Sequence, residues 1–163
     1  MKYSVHRMTQ EDIKQVQEVA KKSWNSTYEG IIPMEIQERF LDTAYNDEMM
    51  LRRYKKSIVL VAKHDGIVLG FANFSTVSND GKSELAAIYL LPQYQRKGIG
   101  SSLLQEGISI LDGVKEVFIN VEKENNLGRK FYEAKGFTIV NEFDDNFDGH
   151  ILKTVRMTLK VRA

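Results

Sequence analysis

Ile88-Tyr89-Leu90-Leu91-Pro92-Gln93-Tyr94-Gln95-Arg96-Lys97-Gly98-Ile99-Gly100-Ser101 is the stretch on which the fold turns. An apolar run stops at Pro92 and a basic loop with two glycines follows. Leu103, Leu104, Ile108 and Leu111 then recur at helical spacing. The order is strand, loop, helix start. The first amides of a helix lack intrahelical acceptors and carry about half a positive charge, so this loop suits a pyrophosphate. Gly98 and Gly100 let the backbone approach a ligand with no Cβ in the way. A dinucleotide fingerprint would need glycine at position 103, where Leu103 stands, and no G-x-x-x-x-G-K-[ST] occurs. Two glycines alone equally mark an ordinary strand-to-helix turn.

Upstream, Ile58–His64 and Ile67–Phe74 are β-rich runs joined by Asp65-Gly66, a hairpin signal. Asn79-Asp80-Gly81 marks a second turn before a strand at about Ser83–Leu91. Further back, a short strand at Tyr3–Arg7 precedes Thr9-Gln10-Glu11-Asp12, a helix-capping pattern. Ile13, Val16, Ala20 and Trp24 form one apolar stripe; Pro33 opens a second helix with Ile36, Phe40 and Leu41 inward; Asn46 caps a third. Downstream come a strand at Val117–Val121, a helix at Asn125–Lys135, and strands at Thr138–Phe143 and Leu152–Leu159. The expected class is α+β (mixed α/β), one domain over residues 1–163.

A second constellation is Asn125-Asn126-Leu127-Gly128-Arg129-Lys130-Phe131-Tyr132-Glu133-Ala134-Lys135-Gly136-Phe137. Leu127, Phe131 and Ala134 share one face, expected to pack inward, with Tyr132 about 100° round and stacked over Gly128. A mid-helix glycine costs around 1 kcal/mol against alanine, so the bare surface is expected to have a use.

Together the two stretches resemble the GNAT superfamily of acetyl-CoA-dependent N-acetyltransferases. Gln95 to Gly100 matches its Q/R-x-x-G-x-G/A loop. Asn125 to Phe137 matches its N-x-x-A-x-x-F-Y-x-x-x-G-F helix, with Gly128 in place of the usual alanine. The resemblance runs from about Ile58 to the C-terminus and implies a central, twisted, mostly antiparallel sheet flanked by helices. It implies that backbone groups of Ile88 and Leu90, on either side of Tyr89, pair with the pantetheine arm of acetyl-CoA. The amides of Arg96, Lys97, Gly98, Ile99, Gly100 and Ser101, after Gln95, would hold the pyrophosphate. Asn125 would bind the pantetheine side, and Tyr132 would face the sulfur as general acid. Glu84, eleven residues before Gln95, stands where histone-modifying members carry a catalytic glutamate. Members acting on ribosomal protein N-termini place their base where this chain has Asn120, which takes up no proton usefully. Trp24, Tyr28 and Glu29 lie in the segment that builds the family's acceptor pocket, loosely similar to polyamine-acetylating members.

The chemistry can be argued apart from the family. An alkylamine with a pKa near 10.4 must lose a proton before attacking a thioester, and a carboxylate can accept it directly or through water. Tyrosine is a weaker acid than the leaving thiol, so full proton transfer from it is uphill by roughly 2 kcal/mol. Tyr132 works best as a hydrogen-bond donor to developing thiolate.

Composition sets the frame. The 163 residues carry 23 basic and 22 acidic side chains and no cysteine. A net charge of +1 gives no general pull toward nucleic acid or anionic membranes. Without cysteine there is no disulfide, no Cys-ligated zinc and no acyl-cysteine intermediate, so direct amine attack in a ternary complex is the economical route. No signal-like N-terminus or apolar run of 18 residues is seen, so a cytoplasmic chain is expected. Asp144-Asp145-Asn146-Phe147-Asp148-Gly149 matches the opening of a calcium loop, but position twelve is Val155; a solvated turn is expected and no metal. With Glu142, its acids have a second reading, attraction of a cationic substrate. The expected function is transfer of acetyl from acetyl-CoA to a primary amine, a small cationic one such as a polyamine. The alternatives are a protein N-terminus or lysine as acceptor, or an idle acyl-CoA-binding sensor. Oligomeric state stays open, a homodimer included.

Overall fold

The computed structural model describes residues 2–161. Its seven strands form one sheet in the order β1-β2-β3-β4-β5-β7-β6. They are β1 (Ser4–Arg7), β2 (Ile58–His64), β3 (Ile67–Phe74), β4 (Lys82–Leu90), β5 (Glu116–Glu122), β6 (Thr138–Phe147) and β7 (His150–Lys160). Every pairing is antiparallel except β4 with β5. The helices are α1 (Ile13–Thr27), α2 (Met34–Ala44), α3 (Asp47–Lys56), α4 (Ile99–Ile110) and α5 (Asn126–Ala134). No helix among the described residues is long and apolar enough to cross a membrane.

Apolar alternation along the strands gives the sheet two buried faces. On one, Leu60, Phe74, Leu85, Ile119 and Met157 pack with Ile99 and Leu103 of α4 and Tyr132 of α5. On the other, Val59, Val61, Phe71 and Ala87 pack with Ile13, Val16 and Ala20 of α1. Trp24 closes the outer end of α1, stacked on Phe40 at 4.2 Å and Phe147 at 5.9 Å between ring centroids.

Two features position the site. The parallel β4–β5 ladder has three rungs, Lys82–Glu116, Ser83–Val117 and Glu84–Phe118. Beyond them the two strands part. In the same place β4 bulges: Asn73 pairs with Ala87 and Phe74 with Leu85, leaving Ala86 as the extra residue. The result is a wedge between β4 and β5, open toward their C-terminal ends.

Three local expectations are corrected. Buried on α5 is Tyr132, 6% exposed, whereas Leu127 is 41% exposed and Ala134 is exposed. Gly128 lies against its own helix cap rather than under Tyr132: a Cβ there would meet Asn125 Nδ2 at 2.8 Å. The aspartates of the calcium-like stretch are not one loop. Asp144 and Asp145 pair with Lys153 and Leu152 within the β6–β7 ladder, and only Asp148-Gly149 turns, at φ +53° and +82°. Neighbouring strand residues point to opposite faces and cannot converge on one ion.

Candidate active site

A cavity of about 460 Å³ fills the wedge. One wall is β4 from Ala86 to Leu90, the other is Ile119, Asn120 and Val121 of β5. Past Glu84 no β5 residue pairs with β4, so its edge keeps free main-chain groups along the wall.

At the open end of the wedge, past the end of β4, lies the loop into α4. Arg96 has φ +64° and Gly98, the cap residue, φ +83°. Alternation of left-handed residues with their neighbours turns successive amides toward one side, an anion nest. The first α4 bond to Gly98 is donated by Ser102 at 3.1 Å; among the described residues, the amides from Arg96 to Ser101 have no main-chain acceptor. Only glycine holds the Gly98 conformation without strain. Gly100 lies against α5, where a Cβ would approach the Phe131 ring to 3.2 Å. The free edge, the nest and the bare helix start fit a long ligand with a phosphate-bearing end, as coenzyme A is.

Of the candidate residues, Ile88, Tyr89, Leu90, Gln95, Arg96, Gly100, Asn125 and Tyr132 line the cavity. Ile99 is fully buried in the core and offers only its amide; Lys97, Gly98 and Ser101 are outside the lining. Asn125 caps α5, its Oδ1 accepting from the Gly128 amide at 3.0 Å, and its amide faces the Tyr28 hydroxyl. Tyr28 lines the cavity opposite. It is held by the buried Gln37, whose Nε2 donates to the carbonyls of Tyr28 at 3.2 Å and Ile32 at 2.9 Å. Burial pushes the phenols of Tyr28, Tyr89 and Tyr132 up, and the proximity of the other phenols adds to it for Tyr28 and Tyr132. All three stay protonated in any ordinary buffer.

Three further candidates, outside the loop, also fall outside the lining. Trp24 is buried behind Tyr28, at 4.6 Å between rings, and supports it. Glu29 is exposed because α1 ends at Thr27 and the chain turns away through Gly30 at φ +77°. Glu84 sits on the last β4–β5 rung, two residues before the wall begins at Ala86. The sequence reading missed Ser23 and Thr27, which line the cavity beside Tyr28, and Gln37, which holds Tyr28 in place. A buried glutamine interrupting an apolar helical stripe was the available signal.

The model of the acetyltransferase (GNAT) family matches residues 17–137. The chain belongs to the GNAT family. It is therefore an N-acetyltransferase, with the fold of that family. A spermidine N(1)-acetyltransferase of Thermoplasma acidophilum is 31% identical over 155 residues, covering 90% of this chain and 95% of the relative. An N-acetyltransferase of Bacillus subtilis, YuaI, is 34% identical over 143 residues, 85% and 80% of the two chains. Among solved structures, the PaiA N-acetyltransferase of Thermoplasma acidophilum in complex with coenzyme A superposes with a TM-score of 0.85 at 29% identity, covering 99% and 100% of the two chains. The ribosomal-protein-S18-alanine N-acetyltransferase of Escherichia coli shares the fold, with a TM-score of 0.74 at 18% identity over 99% of this chain and 96% of the other.

Proposed function

We propose that this GNAT enzyme transfers acetyl from acetyl-CoA to a primary amine of a small cationic molecule of the polyamine class. The observation that carries the reading is the single cavity shared by a free β4 edge, an anion nest and a buried tyrosine. Bound acetyl-CoA supplies the activated acyl group. The Arg96–Ser101 amides hold its pyrophosphate, and Ile88 and Leu90 orient the pantetheine amides, so the thioester reaches the depth of Tyr132.

The acceptor enters between Tyr28 and β5. Its nitrogen attacks the acetyl carbonyl, the C–S bond breaks, and negative charge develops on sulfur. Tyr132, kept neutral by burial, donates a hydrogen bond to that sulfur. The proton lost by the amine leaves through water, for which Glu84 at the foot of the wedge is the terminal acceptor. Likeness to the spermidine enzyme supports the acceptor class.

The test is thiol release from acetyl-CoA with a panel of spermidine, 1,4-diaminobutane, butylamine, free lysine and a peptide with a free N-terminus. Turnover highest with the polyamines is expected. Preference for the peptide would transfer the reading to protein acetylation, and no turnover with tight CoA binding would favour the idle sensor.

A further inference from the structure

Two carboxylates are buried among the described residues, Asp12 and Glu122. Asp12 is ion-paired with Lys63. Glu122, 8% exposed, makes no ion pair among those residues. Of the nearby cations, Arg129 donates to the Lys123 carbonyl at 3.1 Å and makes no ion pair with Glu122. Lys123 is 2.9 Å from Glu142, while Arg156 donates from Nε to Asn120 at 3.0 Å and lies over the Phe118 ring. Glu122 accepts instead from the main chain of the loop that follows, the Glu124 amide at 2.8 Å. A buried carboxylate without a counter-ion is costly, and burial pushes its carboxyl up accordingly. A cationic group is the partner that such a carboxylate takes.

Its place indicates what. Asn120 pairs with Arg156 and Glu122 with Thr154, so the two side chains share a sheet face, about 7 Å apart. Asn120 lines the cavity. The same face carries Leu152, two residues before Thr154, which packs with Trp24 and Tyr28 on the acceptor side. Tyr28, which lines the cavity, lies near both Glu122 and Tyr132. Glu122 itself lies just outside the lining of the cavity, on the same sheet face as Asn120 and near Tyr28.

We propose that Glu122 is the counter-ion for a second positive charge on the acceptor, so that diamines and longer polyamines are taken in preference to monoamines. The inference rests on the amine-acetylation reading above and names what selects the amine. On this proposal the reacting nitrogen is placed at Tyr132 and the distal ammonium toward Glu122, just behind the cavity wall, with the Tyr28 ring beside the chain. A charge-assisted hydrogen bond to a desolvated carboxylate is among the stronger single contacts available to such a ligand.

The experiment compares 1,4-diaminobutane, spermidine and butylamine on the unaltered enzyme and on Glu122→Gln, with CoA-induced thermal stabilisation measured in both. In the unaltered enzyme kcat/KM for the diamine should exceed that for butylamine by at least about tenfold. Glu122→Gln should raise KM for the di- and triamine roughly tenfold, leave kcat and the KM for acetyl-CoA within about twofold, and scarcely alter butylamine. Its Tm should be unchanged or higher, since a desolvated charge is removed. Equal kcat/KM for diamine and butylamine in the unaltered enzyme would overturn the proposal without any variant. A fall in kcat for every amine at constant KM would place Glu122 in the chemical step and overturn it too. A lowered Tm with unchanged selectivity would make Glu122 a turn residue. Acetylation of none of the three, with CoA still stabilising the protein, would mark failure of the amine reading itself.

Discussion

At the residue scale, Tyr132 is both a core side chain and the chemical group at the end of the cavity. Burial holds its phenol protonated, and among the described residues its hydroxyl has no hydrogen-bond partner. Tyr132→Phe keeps the ring and its packing against Phe137, 5.4 Å between centroids. It removes only the hydroxyl, the proposed donor to the departing sulfur. Steady-state kinetics should show kcat down by roughly 10–1000-fold with KM for acetyl-CoA little changed. An unaltered kcat would remove Tyr132 from the chemistry. The motif that marks this tyrosine was legible in the sequence, but its burial was not. Helical periodicity registers Leu127 and Phe131 as apolar and therefore inward, whereas both line the cavity and a third of a turn separates Tyr132 from Phe131. An apolar ligand wall and an apolar core wall have the same composition. Glu84 shows the complementary gap: its spacing from Gln95 was readable, but the rung at which β4 and β5 separate was not.

At the element scale, the strand-loop-helix unit from β4 to α4 depends on backbone torsions more than on side chains. Gly98 at φ +83° has open space around its Cα, so a Cβ there meets no neighbour within 4 Å. The cost of Gly98→Ala is therefore torsional, about 1–2 kcal/mol for an L-residue in the left-handed region. Relief of that strain would rotate the amides out of the nest. Thermal unfolding should show the corresponding loss of stability, and KM for acetyl-CoA should rise several-fold with kcat for the saturated enzyme largely retained. A variant with lowered Tm and unaltered KM would dissociate the nest from pyrophosphate binding. Most of the element boundaries are readable from sequence because turn glycines and apolar periods change together, as at Asp65-Gly66 and Asn79-Asp80-Gly81. β6 is the exception. Its residues are almost all exposed, and the acidic run Glu142–Asp148 reads as a turn until its pairing with β7 is seen.

At the scale of the whole molecule, the sheet consists of two well-paired parts, β1–β4 and β5–β7, joined by only three rungs. Trp24, Phe40 and Phe147 add a second connection, stacking α1, α2 and the β6–β7 hairpin together. The wedge between the two parts exposes a free strand edge and an apolar wall, both of which lose water when a ligand fills them. On the proposed reading, coenzyme A spans the joint, with β4 and the α4 loop on one side and α5 on the other. At a hundredfold excess over Kd the linkage gain is about 2.7 kcal/mol, which for a chain of this size raises Tm by roughly 5–10 °C. Hydrogen exchange should slow along the β4 edge from Ala86 to Leu90 and in the Arg96–Ser101 loop, and change little at β1 and β2, which lie far from the wedge. A shift in Tm with protection spread evenly over the sheet would mean that the ligand binds elsewhere. No shift with either CoA or acetyl-CoA would remove the wedge from consideration as the cofactor site.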